Sequence, residues 1–339
     1  MDPLGTRALG RSGLQVTQLG FGGAPLGDFY ARLPEDQAIS TVEAACSSSL
    51  RLFDTSPLYG HGLSEHRFGH VLRQKPRDSF VLSTKVGRWL RPRPETEIDR
   101  GWFKGGLNFE AVVDYSYDGA MRSFDQSLHR LGLNSIDVIL IHDVDVWSHG
   151  KDAYEQHFRT AMNGAYRAVD ELRRVGTVKA IGIGVNEIEP CLRFAAEGDF
   201  DCFLLAGRYT LLEHAALDEL LPTCVRKGIG IVVGGPYNSG ILATGAVPGA
   251  KYNYFPAPPE VLDRVSRIES VCRRHAVPIA AAALQFPLGH PAVSTTIPGA
   301  VAPQEIARNK QLMTTPIPAD LWAELKHEGL MPAEAPVPT

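Results

Sequence analysis

The chain has 339 residues, of which 44% are hydrophobic, and this content is enough to bury a large core. Its 34 Lys and Arg residues are nearly balanced by 38 Asp and Glu residues, which gives a formal net charge of −4 without a basic block. A phosphate backbone usually needs a clustered basic face, so the charge pattern argues against a nucleic-acid partner. No apolar stretch approaches the length of a bilayer span, and we expect no membrane-spanning segment.

The N-terminus and the cysteines indicate the cellular compartment. The first residues, Met-Asp-Pro-Leu-Gly-Thr-Arg, lack the apolar region of a secretory signal. The five cysteines form an odd, scattered set without Cys-x-x-Cys, which favours reduced core thiols over disulfides. We therefore predict a cytoplasmic protein.

Short apolar runs alternate with amphipathic segments along most of the chain. A segment at 10–23 alternates and turns like a small hairpin that leads into the first strand. The apolar runs predict strands at 17–22, 51–55, 80–85, 135–142, 180–185, 202–206, 229–234 and 293–297. Helical spacing predicts helices at 36–49, 64–74, 118–131, 157–175, 189–197, 217–227, 259–275, 279–288 and 302–311. Eight strands that alternate with helices predict parallel strands joined by helical crossovers.

Two architectures combine parallel strands with helical crossovers, an open doubly wound sheet and a closed barrel. The open sheet usually carries Gly-x-Gly-x-x-Gly after its first strand, and Gly20-Phe-Gly-Gly-Ala-Pro lacks that spacing. We therefore predict an α/β fold, a single (β/α)8 TIM barrel over 1–330 with an N-terminal β-hairpin and extended loops at its C-terminal face. The loops are insertions at 88–117 and 144–156, and a poorly ordered, Pro/Ala-rich tail is expected at 331–339.

Four polar side chains stand where predicted strands end. Asp54 and Tyr59 lie in Phe-Asp-Thr-Ser-Pro-Leu-Tyr-Gly at 53–60, Lys85 ends Leu-Ser-Thr-Lys, and His142 ends Val-Ile-Leu-Ile-His. Each alone has an ordinary structural explanation, as a helix cap, a packing aromatic, a solvated lysine or a core histidine. Together at one barrel mouth, they are the groups that proton transfer to a carbonyl oxygen needs.

Tyr59 is the expected proton-transfer residue of this set. A phenol has an unperturbed pKa of about 10 and is a poor acid or base at neutral pH. A nearby ammonium favours the phenolate, so we expect Lys85 to lower the pKa of Tyr59 and Asp54 to keep Lys85 charged. His142 is expected to hydrogen-bond the substrate oxygen. The histidines show no zinc-ligand spacing, and we predict no metal.

These motifs resemble the aldo-keto reductase family over nearly the full length of the chain. The matching segments are 53–60 with Ser64-Glu65, 83–86, 128–143, 182–186 and 297–299. The resemblance implies a nicotinamide cofactor and a catalytic tetrad of Asp54, Tyr59, Lys85 and His142, all four identical in type to the family pattern. A cofactor-binding regulatory subunit is an alternative from another functional class, and the intact tetrad argues against it.

The resemblance also implies a cofactor site. Asn186, after the fifth strand, is expected to hold the nicotinamide carboxamide, Tyr209 to stack on the nicotinamide ring, and Asn309 to reach the adenine. The main chain that is expected to line the pyrophosphate lies at Gly22, Gly23, Pro236, Asn238, Ser239 and Gly240.

Two positions bear on the choice between NAD and NADP. Members of the family that bind NADP(H) commonly place a Lys or Arg after the eighth strand and an Arg in the next helix, where they pair with the 2′-phosphate. Gly299 and Glu305 stand at these positions. A carboxylate repels a phosphate, although Glu305 also fits an acid that stabilises a helix N-terminus. We predict NAD over NADP, and an oxidising role in which Tyr59 is the base.

Several segments resemble one branch of the family more than the rest. Residues 114–119, 142–145, 205–212 and 234–240 are similar to the sugar-oxidising branch that contains D-threo-aldose 1-dehydrogenase, L-fucose dehydrogenase and L-galactose dehydrogenase. The resemblance implies oxidation of the anomeric hydroxyl of an aldose to a lactone. The alternative is a pyridoxal 4-dehydrogenase or a broad-specificity aldehyde or ketone reductase. Candidate sugar contacts in the insertions are Trp89, Trp102, Asp145, Trp147 and His149.

Overall fold

The centre of the protein is an eight-stranded sheet in which every neighbouring pair of strands is parallel, in a computed structural model that describes residues 1–338. In chain order, the strands are β1 (Phe21–Gly22), β2 (Leu52–Asp54), β3 (Val81–Val86), β4 (Val138–His142), β5 (Ala180–Val185), β6 (Cys202–Ala206), β7 (Gly230–Gly234) and β8 (Val293–Ile297). Parallel bridges of Leu19 with Thr296 and of Gly22 with Gly299 join the first strand to the last. The sheet therefore closes, and the predicted α/β TIM barrel is confirmed.

Helices follow the strands and surround the barrel. They are α1 (Glu35–Ser47), α2 (Leu63–Leu72), α3 (Tyr117–Leu131), α4 (Val146–Asn163), α5 (Ala165–Arg174), α6 (Ile188–Glu197), α7 (Leu220–Lys227), α8 (Ile241–Thr244), α9 (Pro259–Arg274), α10 (Ile279–Gln285), α11 (Pro303–Thr314) and α12 (Ala319–His327). Within residues 1–338, none of these helices combines the length and the apolar character that crossing a bilayer requires.

Two helices differ from the sequence prediction. The helix α12 follows the segment that we expected to be the last helix, and α4 occupies most of the insertion predicted at 144–156. Asp145 explains the second difference, because its side chain caps α4 by accepting a hydrogen bond from the Ser148 N–H at 2.8 Å. A backbone break at Gly150, with φ 75°, interrupts α4 near its start.

Two layers of apolar side chains hold the barrel together. Successive residues of a strand face opposite sides of the sheet, so Leu52 points into the barrel while Phe53 packs against the helices. Val81 and Val138 join Leu52 in the interior layer, and Phe68 of α2 joins Phe53 in the outer layer. Burying each of these side chains contributes about 1.5–3 kcal/mol.

The N-terminal hairpin covers the end of the barrel at which the strands begin. It pairs Thr6–Ala8 with Gln15–Thr17, so it begins earlier than the predicted segment at 10–23. Leu9, Leu14 and Val16 are buried in the interior cluster. With this end covered, the opposite mouth is the one that the loops can shape.

Two further hairpins lie in loops that follow the carboxyl ends of the strands. Arg88–Pro92 pairs with Phe109–Val113 within the predicted insertion at 88–117, and Lys251–Tyr252 pairs with Phe255–Pro256 after β7. The expected extended loops at the C-terminal face are therefore partly regular structure.

The C-terminal segment is packed, contrary to the expectation of poor order. Met331 and Ala335 are only 3% and 1% exposed and belong to the outer core cluster. The main chain of Val337 lies against Gly289, where an added Cβ would come within 2.7 Å of it. Apolar anchors within a Pro-rich segment therefore hold residues 331–338 on the barrel.

Glu65 connects the helical layer to the strand that carries Lys85. Its side chain is fully buried and accepts hydrogen bonds from the Thr84 hydroxyl at 2.7 Å and from Arg130 Nε at 2.6 Å. Glu35 makes a comparable ion pair with Arg67 at 2.8 Å, but its side chain is 64% exposed. The two carboxylates therefore differ chiefly in their access to water.

Glu65→Ala should lower the free energy of unfolding by about 3–5 kcal/mol, because it leaves a mostly buried guanidinium without its partner. Glu35→Ala is the matched control and should lower it by about 1 kcal/mol or less, since water replaces an exposed partner. Urea unfolding followed by circular dichroism measures both variants. Equal losses would show that burial does not set the importance of the Glu65 contacts.

Candidate active site

The four tetrad residues meet at the mouth formed by the carboxyl ends of the strands. Asp54 is the last residue of β2, Lys85 lies one residue before the end of β3, and His142 is the last residue of β4. Tyr59 follows β2 in a turn in which its N–H donates to the Ser56 carbonyl at 3.1 Å. Because β2, β3 and β4 are neighbours in the barrel, these side chains share one site.

A buried ion pair forms the floor of the site. Lys85 Nζ lies 2.7 Å from Asp54 Oδ2 and also donates to the Thr55 carbonyl at 2.8 Å, while the Ser83 hydroxyl donates to Asp54 Oδ1 at 2.8 Å. Asp54 and Lys85 are 2% and 1% exposed. Burial raises the pKa of Asp54, and the adjacent ammonium opposes that rise.

Tyr59 stands beside this pair. Lys85 Nζ lies 4.8 Å from the centre of the Tyr59 ring, and the His142 ring packs edge-on at 5.9 Å. Burial, followed by the negative charges of Asp54 and Asp143, raises the pKa of Tyr59 well above its usual value. The expected net lowering of this pKa does not occur in this structure, because desolvation and two carboxylates outweigh the opposing charge of Arg88. The phenol is protonated at neutral pH.

His142 is a neutral hydrogen-bond donor. The Leu58 N–H donates to Ser56 Oγ at 3.1 Å, and the Ser56 hydroxyl lies 3.1 Å from His142 Nδ1. Ser56 Oγ can act as donor or acceptor toward Nδ1, and the Asp143 carboxylate, 3.4 Å from Nε2, favours the tautomer that carries its proton on Nε2. Burial, and then the charges of Lys85 and Arg88, lower the pKa of His142 well below its usual value.

Arg88 and Asp143 belong to the site, although the sequence analysis did not single them out. Arg88 Nη1 lies 3.0 Å from Asp143 Oδ2, and Asp143 Oδ1 lies 3.4 Å from His142 Nε2. Both residues are 8% exposed. Burial raises the pKa of Asp143 to about 6, although Arg88 opposes the shift, so the carboxylate is ionised at neutral pH. Their positions in the sequence could have indicated them, since Asp143 directly follows β4 and Arg88 lies two residues after β3.

Two of the predicted substrate contacts lie behind the site. Asp145 is fully buried, and its carboxylate caps α4 and accepts a hydrogen bond from the Asn186 N–H at 3.3 Å. His149 contacts the hydroxyl of Tyr115 at 2.8 Å, and that hydroxyl donates to the His142 carbonyl at 2.8 Å. Both side chains therefore bind groups of the site's own framework, and their contact with substrate stays a prediction.

Trp89, another candidate substrate contact, packs against the loop before α3 and against α3 itself. Its indole N–H donates to Asp114 Oδ2 at 3.3 Å, and the guanidinium of Arg122 lies over its ring at 4.5 Å. These partners belong to the loop before α3 and to α3 itself, so Trp89 packs between the hairpin and that helix. It does not contact the tetrad.

An aromatic rim surrounds the mouth. Trp102 stacks on Tyr254 with ring centres 4.9 Å apart and an interplanar angle of 20°, and Trp147 lies 6.3 Å from Tyr254 at 40% exposure. Phe103 extends the rim to Tyr59 at 6.0 Å. Trp102 and Trp147 are therefore at the mouth as predicted, whereas Tyr254 was missed because its hairpin follows β7, far away in the sequence.

Asn186 lies at the same mouth, as the cofactor prediction requires. It directly follows β5, and its side-chain oxygen accepts a hydrogen bond from the Tyr254 hydroxyl at 3.0 Å. Asn309 of α11 is 7% exposed and accepts a hydrogen bond from the Tyr237 hydroxyl at 2.8 Å. Tyr237 thereby connects α11 to the loop at 235–240.

The loop at 235–240 is tightly turned. Gly235, Asn238, Ser239 and Gly240 all have positive φ, between 45° and 104°. The Asn238 N–H donates to the Gly235 carbonyl at 2.9 Å, and the Gly240 N–H donates to the Tyr237 carbonyl at 3.0 Å. The Asn238 side chain binds the Gly207 carbonyl at 3.1 Å and the Thr210 hydroxyl. Pro236 is buried, and a Cβ built on Gly240 would meet nothing within 4 Å. The role of this loop as the pyrophosphate site stays a prediction.

Three glycines of the predicted cofactor site are needed for barrel closure. A Cβ would lie 2.8 Å from the Ile297 carbonyl oxygen at Gly22, 2.2 Å from the Phe68 ring at Gly23 and 2.5 Å from Pro25 at Gly299. These glycines let β1, β8 and α2 approach closely. Glu305 is exposed on α11, and its carboxylate accepts a hydrogen bond from the Val301 N–H at 2.8 Å.

Tyr209 does not fit its predicted role. It is 0% exposed and packs on Phe286 with ring centres 5.2 Å apart. A ring enclosed in the outer core offers no face to a nicotinamide, so the predicted stacking is wrong. The neighbouring Arg208 points the other way, where it donates to Asn253 Oδ1 at 2.8 Å.

The described part of the chain, residues 1–338, contains no group of three or more His, Cys, Asp or Glu side chains placed to hold a metal ion. The five cysteines of the sequence are all free thiols, and four of them are buried.

Comparison with known proteins agrees with the barrel. The model of the aldo/keto reductase family matches residues 18–327. A pyridoxal 4-dehydrogenase from Microbacterium luteolum is 43% identical over 336 residues, covering 96% of this chain and 97% of that protein. A D-threo-aldose 1-dehydrogenase from a Pseudomonas species is 39% identical over 333 residues, covering 96% and 98%.

The fold has a counterpart among solved structures. An aldo-keto reductase from Bacillus halodurans superimposes with a TM-score of 0.74 at 24% identity, covering 99% of this chain and 98% of that one. The family match and the two dehydrogenases support an oxidoreductase that acts on CH–OH or carbonyl groups with a nicotinamide cofactor. The chain belongs to the aldo/keto reductase family.

Proposed function

We propose that the chain is an NAD-dependent dehydrogenase that oxidises the anomeric hydroxyl of a cyclic aldose to the lactone, with Tyr59 as the proton-transfer residue. The observation that carries this proposal is the grouping of Tyr59, a neutral His142 and the buried Lys85–Asp54 pair at one mouth. A rim of Trp and Tyr side chains suits the apolar face of a sugar ring. The aldose dehydrogenase at 39% identity supports the same substrate class.

The side chains divide the work of the reaction. A bound nicotinamide supplies the hydride acceptor, and Asn186, the loop at 235–240 and Asn309 are the residues that would hold the dinucleotide. Tyr59 takes the proton of the substrate hydroxyl, and the ammonium of Lys85 stabilises the transient phenolate before that step. His142 donates Nε2–H to the same oxygen and fixes its position. Such positioned acid–base catalysis contributes roughly 10²–10⁴-fold.

The preference for NAD rests on charge. Gly299 and Glu305 put no cation at the positions where family members commonly bind a 2′-phosphate, and Glu305 adds a negative charge at the exposed surface of α11. Arg308 lies on the same helix and is the nearest competing cation in sequence. We infer that the carboxylate decides between the two cofactors.

A second candidate function is oxidation of pyridoxal. The observation that favours it is the 43% identity to a pyridoxal 4-dehydrogenase, and a flat heteroaromatic ring also suits the stacked pair of Trp102 and Tyr254. Pyridoxal closes to a cyclic hemiacetal through its neighbouring hydroxymethyl group, so both candidates present a hemiacetal hydroxyl to Tyr59. Broad aldehyde or ketone reduction is the remaining alternative. A cytoplasmic location and the absence of a nucleic-acid partner stay predictions.

Oxidation should accelerate as the pH rises. The pKa of Tyr59 is raised, so the phenolate that acts as base is scarce at neutral pH and grows about tenfold per pH unit. Reduction uses the protonated phenol and should stay level from about pH 6 to about pH 9. Initial rates of cofactor reduction and of cofactor oxidation over this range test the direction of each pH dependence.

Tyr59→Phe should bind cofactor normally and lose turnover by about 10²-fold or more in both directions. A variant with wild-type turnover would remove Tyr59 from proton transfer.

Glu305→Arg should shift the cofactor preference toward NADP, because it replaces a repelling charge with one that pairs with a 2′-phosphate. The substitution also removes the acceptor for the Val301 N–H. Glu305→Gln is therefore the matched control, since it retains an acceptor and removes only the charge. The ratio of kcat/KM for NAD to kcat/KM for NADP should be highest in the wild type, lower in Glu305→Gln and lowest in Glu305→Arg. An unchanged ratio in both variants would contradict the charge argument.

A substrate panel separates the candidate functions. We expect L-fucose, D-arabinose or L-galactose to reduce NAD faster than pyridoxal does, with absorbance of the reduced cofactor as the readout. Rapid oxidation of pyridoxal without sugar turnover would favour the second candidate. Tight cofactor binding without turnover of any alcohol or aldehyde would favour a regulatory subunit.

A further inference from the structure

The wall of the site next to His142 holds a carboxylate that the tetrad mechanism does not use. Asp143 Oδ1 lies 3.4 Å from His142 Nε2, the nitrogen that carries the proton. Its charge is balanced on the other side by Arg88, 3.0 Å from Oδ2. Asp143 directly follows β4 and Arg88 lies two residues after β3, so both come from the mouth end of tetrad strands.

Arg88 holds one oxygen of this carboxylate, and the other oxygen faces His142. Arg88 Nη1 lies 3.0 Å from Oδ2, Oδ1 lies 3.4 Å from His142 Nε2, and 12% of the Asp143 side chain remains exposed. The Tyr115 hydroxyl fixes its main chain by donating to the Asp143 carbonyl at 3.0 Å. Its φ of 53° is uncommon for a residue with a side chain, and such strain is typical of functional sites.

The pair of atoms formed by His142 Nε2 and Asp143 Oδ1 is complementary to two neighbouring hydroxyl groups. One oxygen of the ligand accepts the Nε2–H, and the other donates its proton to Oδ1. Two hydroxyl oxygens on neighbouring carbons are separated by about 3 Å, close to a hydrogen-bond length, which suits the 3.4 Å spacing of the two protein atoms. An analogue that lacks the second hydroxyl would remove the donor to Oδ1 in a site shielded from water, so it should bind less well.

We propose that Asp143 is a specificity-determining residue that accepts a hydrogen bond from a hydroxyl next to the reacting C–OH group. This inference rests on the proposed dehydrogenase function and names the substrate class more closely: a hemiacetal with a second hydroxyl beside the one that is oxidised. Arg88 keeps the carboxylate ionised and oriented. Two sources are compared: the 2-hydroxyl of an aldose, which lies on the carbon adjacent to the reacting one, and the 3-hydroxyl of pyridoxal, which lies one ring carbon further away.

Wild-type enzyme should discriminate against substrates that lack only the second hydroxyl. The two arms of the experiment compare L-fucose with 2-deoxy-L-fucose and pyridoxal with 3-deoxypyridoxal, with kcat/KM as the readout. In the arm whose parent is turned over, the deoxy compound should lose about 10- to 100-fold, the range expected for a hydrogen bond to a charged group. The arm that shows turnover identifies the source of the hydroxyl.

Asp143→Asn tests the residue itself. It should lower the ratio of kcat/KM for the parent to kcat/KM for the deoxy compound toward one; the ratio is the readout, because the Asp143 charge also acts on Tyr59 and its removal changes turnover of both compounds. Asp137→Asn is the matched control, because Asp137 also pairs with an arginine, Arg77 at 2.6 Å, but lies directly before β4, at the opposite end from His142. That variant should keep the wild-type ratio.

The outcomes separate this inference from the proposed function. Turnover of a parent with equal kcat/KM for its deoxy analogue overturns the role of Asp143 and leaves the dehydrogenase function standing. A full wild-type ratio in the Asp143→Asn variant also overturns it. No turnover of either parent overturns the proposed function, and the inference with it. The wild-type comparison needs no variant, so the test holds even if Asp143→Asn fails to fold.

Discussion

The ion pair of Lys85 and Asp54 is the interaction on which the rest of the site depends. A lysine that is 1% exposed is tolerated because a carboxylate lies 2.7 Å away and the Thr55 carbonyl accepts a second hydrogen bond. The pair spans the neighbouring strands β2 and β3, where Asp54 is in register with Ser83. It therefore stabilises the mouth of the barrel while it places a positive charge 4.8 Å from the Tyr59 ring.

Around this pair, the structure sets the protonation states of its neighbours. Desolvation keeps Tyr59 protonated, and the Asp143 carboxylate, 3.4 Å from Nε2, favours a proton on that nitrogen of the neutral His142. Asp143 stays ionised at neutral pH because Arg88 limits the effect of burial. The site consequently presents two donors and one acceptor to a ligand, which suits a substrate with more than one hydroxyl group.

The loops that follow β3, β5 and β7 supply side chains to the mouth of the barrel. Tyr254 connects two other loops, since its ring stacks on Trp102 and its hydroxyl binds the carboxamide of Asn186. These three residues come from loops after β7, β3 and β5. One side chain thus connects the predicted substrate rim with the predicted nicotinamide site, so changes in either loop are expected to affect both.

The sequence by itself determined the barrel and the tetrad, because apolar runs that end in polar residues mark where buried strands reach the mouth. It also located Trp102, Trp147 and Asn186 there. Only the tertiary structure decided that Asp145 caps a helix, that Tyr209 is enclosed in the core and that Arg88 meets Asp143, 55 positions later. Those roles depend on side-chain direction and on contacts between distant segments. Strand patterns carry neither, and the pKa shifts that follow from burial exist only once the chain is packed.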